Sequence, residues 1–170
     1  RVYSRTSAKD VVFMREYVLN GQKEYMVYEK FVPQFTHSLW ERVNGIQEKL
    51  LSLTDVILGM AVNPSGFVAL ITENTLLITK GKEILKTIEG KHIQMGWLGD
   101  KLYVVDDTVD NVVTYDLAGN QNLTEYKKDG ISKIYQFGDK IALNYKSGVT
   151  NIIGGEQSSE VKLPKDVYHM

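Results

Sequence analysis

The sequence contains no cysteine, which removes disulfides, thiolate zinc sites and cysteine nucleophiles together. That absence fits a reducing cytosol or a bacterial secreted protein, with a lean toward an extracytoplasmic one, and leaves the compartment undetermined. No apolar run approaches the roughly 18 to 20 residues of a membrane span, and no charged start followed by an apolar stretch marks a signal peptide. The chain opens on Arg1 rather than Met, as a mature form or an excised fragment does. Nor does charge of one sign prevail: 20 Lys and Arg stand against 21 Asp and Glu, a formal net charge of -1. Without a large field to draw polyanions or acidic membranes, nucleic acid is not the expected partner.

Catalytic signatures are missing as well. No Gly-x-Ser-x-Gly elbow, Walker loop or Gly-x-Gly-x-x-Gly follows any apolar run, so hydrolase and nucleotide-binding templates lack their essential turns. Lys80-Gly81-Lys82 reads as a hairpin tip. His37, His92 and His169 are far apart, with no His-x-x-x-His pair, and read as surface or loop histidines rather than metal ligands. Neither a catalytic set nor a cofactor or metal is therefore expected.

What is present is a repeat. At 170 residues the chain suits one domain, and three segments, 57–90, 93–130 and 131–164, share one order of parts. An apolar stretch leads to a tight turn (Asn63-Pro64-Ser65-Gly66, Leu98-Gly99-Asp100, Phe137-Gly138-Asp139) and then to a β-branched and aromatic run. A polar turn, a third run, a Gly-containing turn and a more polar fourth strand complete each unit. Such four-stranded meanders are the blades of a β-propeller, where the outermost strand is the most solvated.

The first 55 residues admit two readings. Leu39, Val43, Ile46, Leu50 and Leu53 recur at three- and four-residue spacing, which predicts an amphipathic helix over 36–53. Asn44-Gly45 is instead a strong two-residue hairpin signal and would cost a helix about 1 kcal/mol for the glycine alone. Read as strands, residues 39–43 and 46–53 complete a unit begun by 11–19 and 24–31, with a longer connection around Pro33. The expected fold is thus all-β, a β-propeller or propeller fragment of about four four-stranded blades in one β-repeat domain, with units at about 11–55, 56–92, 93–130 and 131–166. The alternative is α+β, an N-terminal hairpin and helix packed on a β-meander.

Several clusters carry chemistry in principle. Asp106, Asp107 and Asp110, with Asp116 nearby, are the densest carboxylates and suit calcium or acid/base work. The spacing fails as an EF-hand, since Asn111 stands where glycine is needed and Leu117 where glutamate belongs; a solvated turn rich in local hydrogen bonds explains it more simply. Tyr3, Phe13, Tyr17, Tyr25, Tyr28 and Phe31 interleave with Arg1, Arg5, Arg15, Lys23 and Lys30, a mixture suited to single strands of nucleic acid. Glu16, Glu24 and Glu29 offset that charge, so cross-strand pairs on an ordinary hairpin are the expectation. Trp40 and Trp97 are expected to fill core or inter-blade space, with sugar stacking an open role for Trp97. Asn122-Leu123-Thr124 fits a glycosylation acceptor.

Residues 102–120, LYVVDDTVDNVVTYDLAGN, resemble one repeat of the NHL and related propeller families, in which a V-x-D... N-x-V-x-x-Y-D-x-x-G pattern marks inner strands and the turn after them. The Gly-His and Trp-Asp pairs of WD40 repeats and a kelch diglycine are absent. The resemblance implies a binding face built by the loops joining second to third strands and fourth strands to the next blade. On this sequence those loops place Glu73, Lys91, His92, Asp106, Asp107, Asp110, Lys128 and Lys146 together. The function expected is a non-enzymatic interaction or scaffold module for a protein partner or for self-association. The alternative is a carbohydrate or small-ligand protein, or an enzyme, using the acidic loop Asp106 to Asp110.

Overall fold

The structure, a computed structural model, describes residues 12–154 with their side chains and 159–162 as backbone. His169, and Arg1, Tyr3 and Arg5 of the N-terminal set, lie outside the described residues. Those described form sixteen strands and no helix. In the first sheet β1 (Val12–Asn20), β2 (Lys23–Lys30), β3 (Thr36–Val43) and β4 (Ile46–Leu53) pair in order. The second is β5 (Ile57–Val62), β6 (Phe67–Thr72), β7 (Thr75–Lys80) and β8 (Glu83–Glu89). The third is β9 (His92–Leu98), β10 (Lys101–Asp106), β11 (Asn111–Tyr115) and β12 (Gln121–Lys127). The fourth is β13 (Ile131–Phe137), β14 (Lys140–Tyr145), β15 (Val149–Gly154) and β16 (Ser159–Lys162). Every pairing is antiparallel, and the third sheet begins at His92.

The helix over 36–53 is replaced by β3 and β4. Asn44 and Gly45 take φ of 53° and 78°, the left-handed pair of a type I′ turn, whose twist matches that of the strands it joins. The apparent helical stripe dissolves because Leu39 and Leu50 point inward while Ile46 is 76% exposed. The longer β2–β3 connection passes through a cis Val32-Pro33 bond.

Burial follows position in the meander. Long buried runs lie on second strands paired on both edges, as in Tyr25 to Glu29 of β2, Val68 to Thr72 of β6 and Leu102 to Asp106 of β10. The fourth strands β8 and β12 bury no residue fully, as expected for the solvated outer strand.

The chain divides into two compact units, Arg1–Lys91 and His92–Met170. In the first, Tyr25, Val27, Leu39 and Leu50 of one sheet pack on Val62, Val68, Leu70 and Leu77 of the other. In the second, Tyr103, Val105 and Val112 pack on Ile134, Ile141, Leu143 and Ile153. Gly96 of β9 lets these two sheets close up, because a Cβ there would lie 2.8 Å from Ile134 Cγ2. Trp97 is fully buried, as expected, while Trp40 lies half-buried on a sheet face. No helix long and apolar enough to cross a membrane is found among the described residues.

Candidate functional site

The acidic turn between β10 and β11 is shaped by its first residue. Asp106 Oδ1 accepts hydrogen bonds from the Thr108 amide and hydroxyl, each at 2.8 Å, an Asx turn that bends the chain locally. Asp106 itself is buried, whereas Asp107 and Asp110 are exposed. Lys128, from the β12–β13 connection, lays its ammonium on the carbonyls of Asp106 and Asp107 at 3.0 and 2.6 Å, and its amide bonds the Asp110 carbonyl at 2.9 Å. The Lys146 amide bonds the Gly130 carbonyl at 2.8 Å, and the Tyr145 hydroxyl donates to the Lys127 carbonyl.

Three loops of the second unit are thereby stitched side by side: 107–110, 128–130 and 146–148. The structure brings Asp106, Asp107, Asp110, Lys128 and Lys146 together at one end of their sheets. Lys128 spends its charge holding loops, leaving Asp107, Asp110, Asp129, Lys127 and Lys146 as exposed charges around it. A hollow of about 290 Å³ lined by Tyr126, Lys127, Tyr145 and Ser147 lies beside them. In the first unit Glu73 and Lys91 are exposed, and their loops are joined by the Gly90 amide on the Asn74 carbonyl at 2.9 Å.

The histidines correct the sequence reading. His92 is not a surface residue: it opens β9 directly opposite Asp106, is 6% exposed, and holds its Nε2 3.8 Å from Asp106 Oδ2. His37 is buried too, at 2%. Both rings are buried, each with a carboxylate beside it, rather than offered to solvent.

His37 belongs to a network that spacing alone does not reveal. Its Nε2 lies 2.8 Å from Glu29 Oε2 and its Nδ1 accepts the Ile57 amide at 2.8 Å. Because Nδ1 accepts, the proton sits on Nε2 and is donated to Glu29. Arg15 closes the other side, 2.9 to 3.0 Å from Glu29 Oε1. Burial pushes the Glu29 carboxyl up, but hydrogen bonds from His37 and Arg15 outweigh it and hold the group below the usual carboxylate range. The network ties the first sheet to the start of the second. On the N-terminal hairpin the Tyr17 hydroxyl of β1 donates to Glu24 of β2, a cross-strand pair as expected, and Arg42 of β3 holds the same carboxylate.

Among the described residues no group of three or more His, Cys, Asp or Glu side chains is placed to hold a metal ion.

Four antiparallel four-stranded meanders define a WD40-like β-propeller or propeller-fragment fold, and residues 102–120 form two adjacent strands of one blade and the turn after them, in keeping with their propeller resemblance. No protein-family model matches the sequence, and no curated protein matches it. Among solved structures the chain is similar to a HIRA fragment, with TM-score 0.57 and 14% identity over 84% of this chain and 49% of that one. It is similar to the WD40 domain of SCAP from fission yeast, with TM-score 0.58 and 14% identity over 90% and 45%. BamB from Moraxella catarrhalis matches with TM-score 0.51 and 12% identity over 89% and 50%. At such identities the likeness is one of fold, and the chain spans about half the length of these propeller chains.

Proposed function

We propose that this chain is a non-enzymatic interaction module that presents the loops at one end of its blades to a protein partner. The observation that carries the reading is the stitched loop cluster of the second unit. Lys128 and the inter-loop amides fix three loops against one another, so the exposed carboxylates and ammonium groups above them are held in a set pattern at little ordering cost on binding. Mixed charge of this kind favours selectivity and encounter rate over raw affinity. The propeller fold of the similar structures supports the reading by analogy only.

A photo-crosslinking residue in place of Asp107 or Lys146 of the full chain, compared with one in place of Asp100 or Asp139 on the opposite turns, tests it in an extract of the source cells. A discrete protein adduct from the loop positions alone, lost when Asp110→Lys is added, is the expected result. Equal adducts from both ends, or none, would count against it. Calcium or glycan binding abolished by Asp107→Ala with Asp110→Ala would favour a small-ligand role instead.

A further inference from the structure

The first sheet has two unlike faces. One carries Tyr25, Val27, Leu39 and Leu50 into the core shared with the second sheet. The other, built from β1 to β4 alone, is hollowed into a cleft of about 680 Å³, within the size range of sites that take a small ligand or a short chain segment. At its centre Tyr28 and Trp40 meet edge to face, with centroids 6.2 Å apart, beside Met14. The Trp40 indole N–H donates to Ser38 Oγ at 2.9 Å, which fixes the ring. Around this aromatic floor stand Lys30, Arg42 and Lys49, and no carboxylate is among the described residues that line the cleft. Arg42 is held by Glu24 at 2.6 to 2.8 Å. Lys30 and Lys49 take part in none of the ion pairs among the described residues, and the Lys49 ammonium lies 6.0 Å from the Trp40 ring centroid.

We propose that this cleft is a docking groove for an extended acidic peptide segment of a partner, carrying an aromatic or apolar side chain between its carboxylates. Shape and charge both select that occupant. Thr36, Ser38, Trp40 and Arg42 alternate along β3 and all line the cleft, so it runs about 20 Å, the length of roughly six extended residues. A further apolar blade is a poor occupant, since covering Lys30 and Lys49 without carboxylates would strand two charges away from water. A second copy seated by the same face would set cation against cation. An acidic segment supplies partners for both ammonium groups and a ring for the Tyr28–Trp40 floor. The groove stands apart from the loop reading, because every residue that lines it belongs to β1 to β4.

The full chain is titrated with a synthetic peptide of Asp and Glu around a central Phe, against the same peptide with Lys at the acidic positions, and followed by tryptophan fluorescence and calorimetry. The acidic peptide should bind, and Lys30→Glu with Lys49→Glu should weaken it by about tenfold or more without moving the melting temperature. The milder Lys49→Gln should give a smaller loss, and Asp107→Lys with Asp110→Lys should leave binding unchanged. Equal affinity for both peptides, no binding, or indifference to the Lys30 and Lys49 changes would overturn the proposal. So would concentration-dependent dimerisation abolished by those changes, which assigns the face to a second copy, or binding to anionic phospholipid vesicles in place of the peptide.

Discussion

His37 shows how one side chain can fasten two blades. It is the acceptor for the buried Ile57 amide at the start of β5 and the donor to the buried Glu29 on β2. Removing the ring therefore orphans an N–H and leaves a carboxylate with Arg15 alone. Leaving a buried donor unsatisfied costs about 1 to 3 kcal/mol, and weakening the support of a buried charge adds to it. His37→Ala should lower unfolding stability by about 2 to 4 kcal/mol in urea titrations. His37→Asn, whose amide oxygen can stand near the Nδ1 position, should recover part of that loss. Equal losses in the two variants would mean that the Ile57 hydrogen bond contributes nothing. The pair was invisible in sequence because Glu29 faces His37 only through the β2–β3 register, and the long connection around Pro33 does not set a register as a two-residue turn does.

Turns, by contrast, announce the strands they join. Asn44-Gly45 decided between a helix and a hairpin at 36–53, and the matched Gly99-Asp100 and Gly138-Asp139 turns marked the third and fourth sheets, because few residue pairs accept φ above zero. Apolar spacing misled over the same stretch, since two strands folded about a tight turn can place leucines at helical intervals by coincidence. Two glycines separate the physical reasons for such positions. Gly45 has φ of 78° and nothing within 4 Å of an added Cβ, so Gly45→Ala should cost about 1 to 2 kcal/mol through backbone strain alone. At Gly96 an added Cβ would lie 2.8 Å from Ile134 Cγ2, so the cost of Gly96→Ala is steric and should couple to its neighbour. In a double-mutant cycle read by chemical denaturation, Ile134→Ala should offset part of the Gly96→Ala loss by at least about 0.5 kcal/mol. The same partner change should leave the Gly45→Ala loss additive, because nothing at that turn touches it.

At the scale of the whole chain, order in sequence was enough to read four meanders, since each sheet is contiguous and needs no long-range pairing to be recognised. The cleft on the first sheet and the burial of His92 and Asp106 depend on which face each strand turns to its neighbour, and that follows from pairing and packing rather than from residue order. Electrostatics also acts at this scale. A net charge near zero hides carboxylates that the fold holds in their charged form. Hydrogen bonds from Arg42 and then Tyr17 bring Glu24 down to about 2. Asp116 is lowered by the Asn120 amide and side chain, and Glu29 by His37 and Arg15 against its burial. Each binds a proton more readily in the unfolded chain than in the folded one. Their stabilisation is therefore complete above the ordinary carboxylate values and is lost as pH falls through the lowered ones. The share of the urea midpoint that these carboxylates supply should be complete above about pH 5 and decline continuously toward about pH 2. Glu29→Gln should start from a lower midpoint and fall less steeply, because the proton it would take up on unfolding is no longer counted. Added salt should weaken the Glu24 contribution more than that of the buried Glu29, since the partly exposed Glu24–Arg42 pair is screened more than a buried one. An acid limb unchanged in the Glu29→Gln chain would show that the network around His37 holds its carboxylate no more tightly than water does.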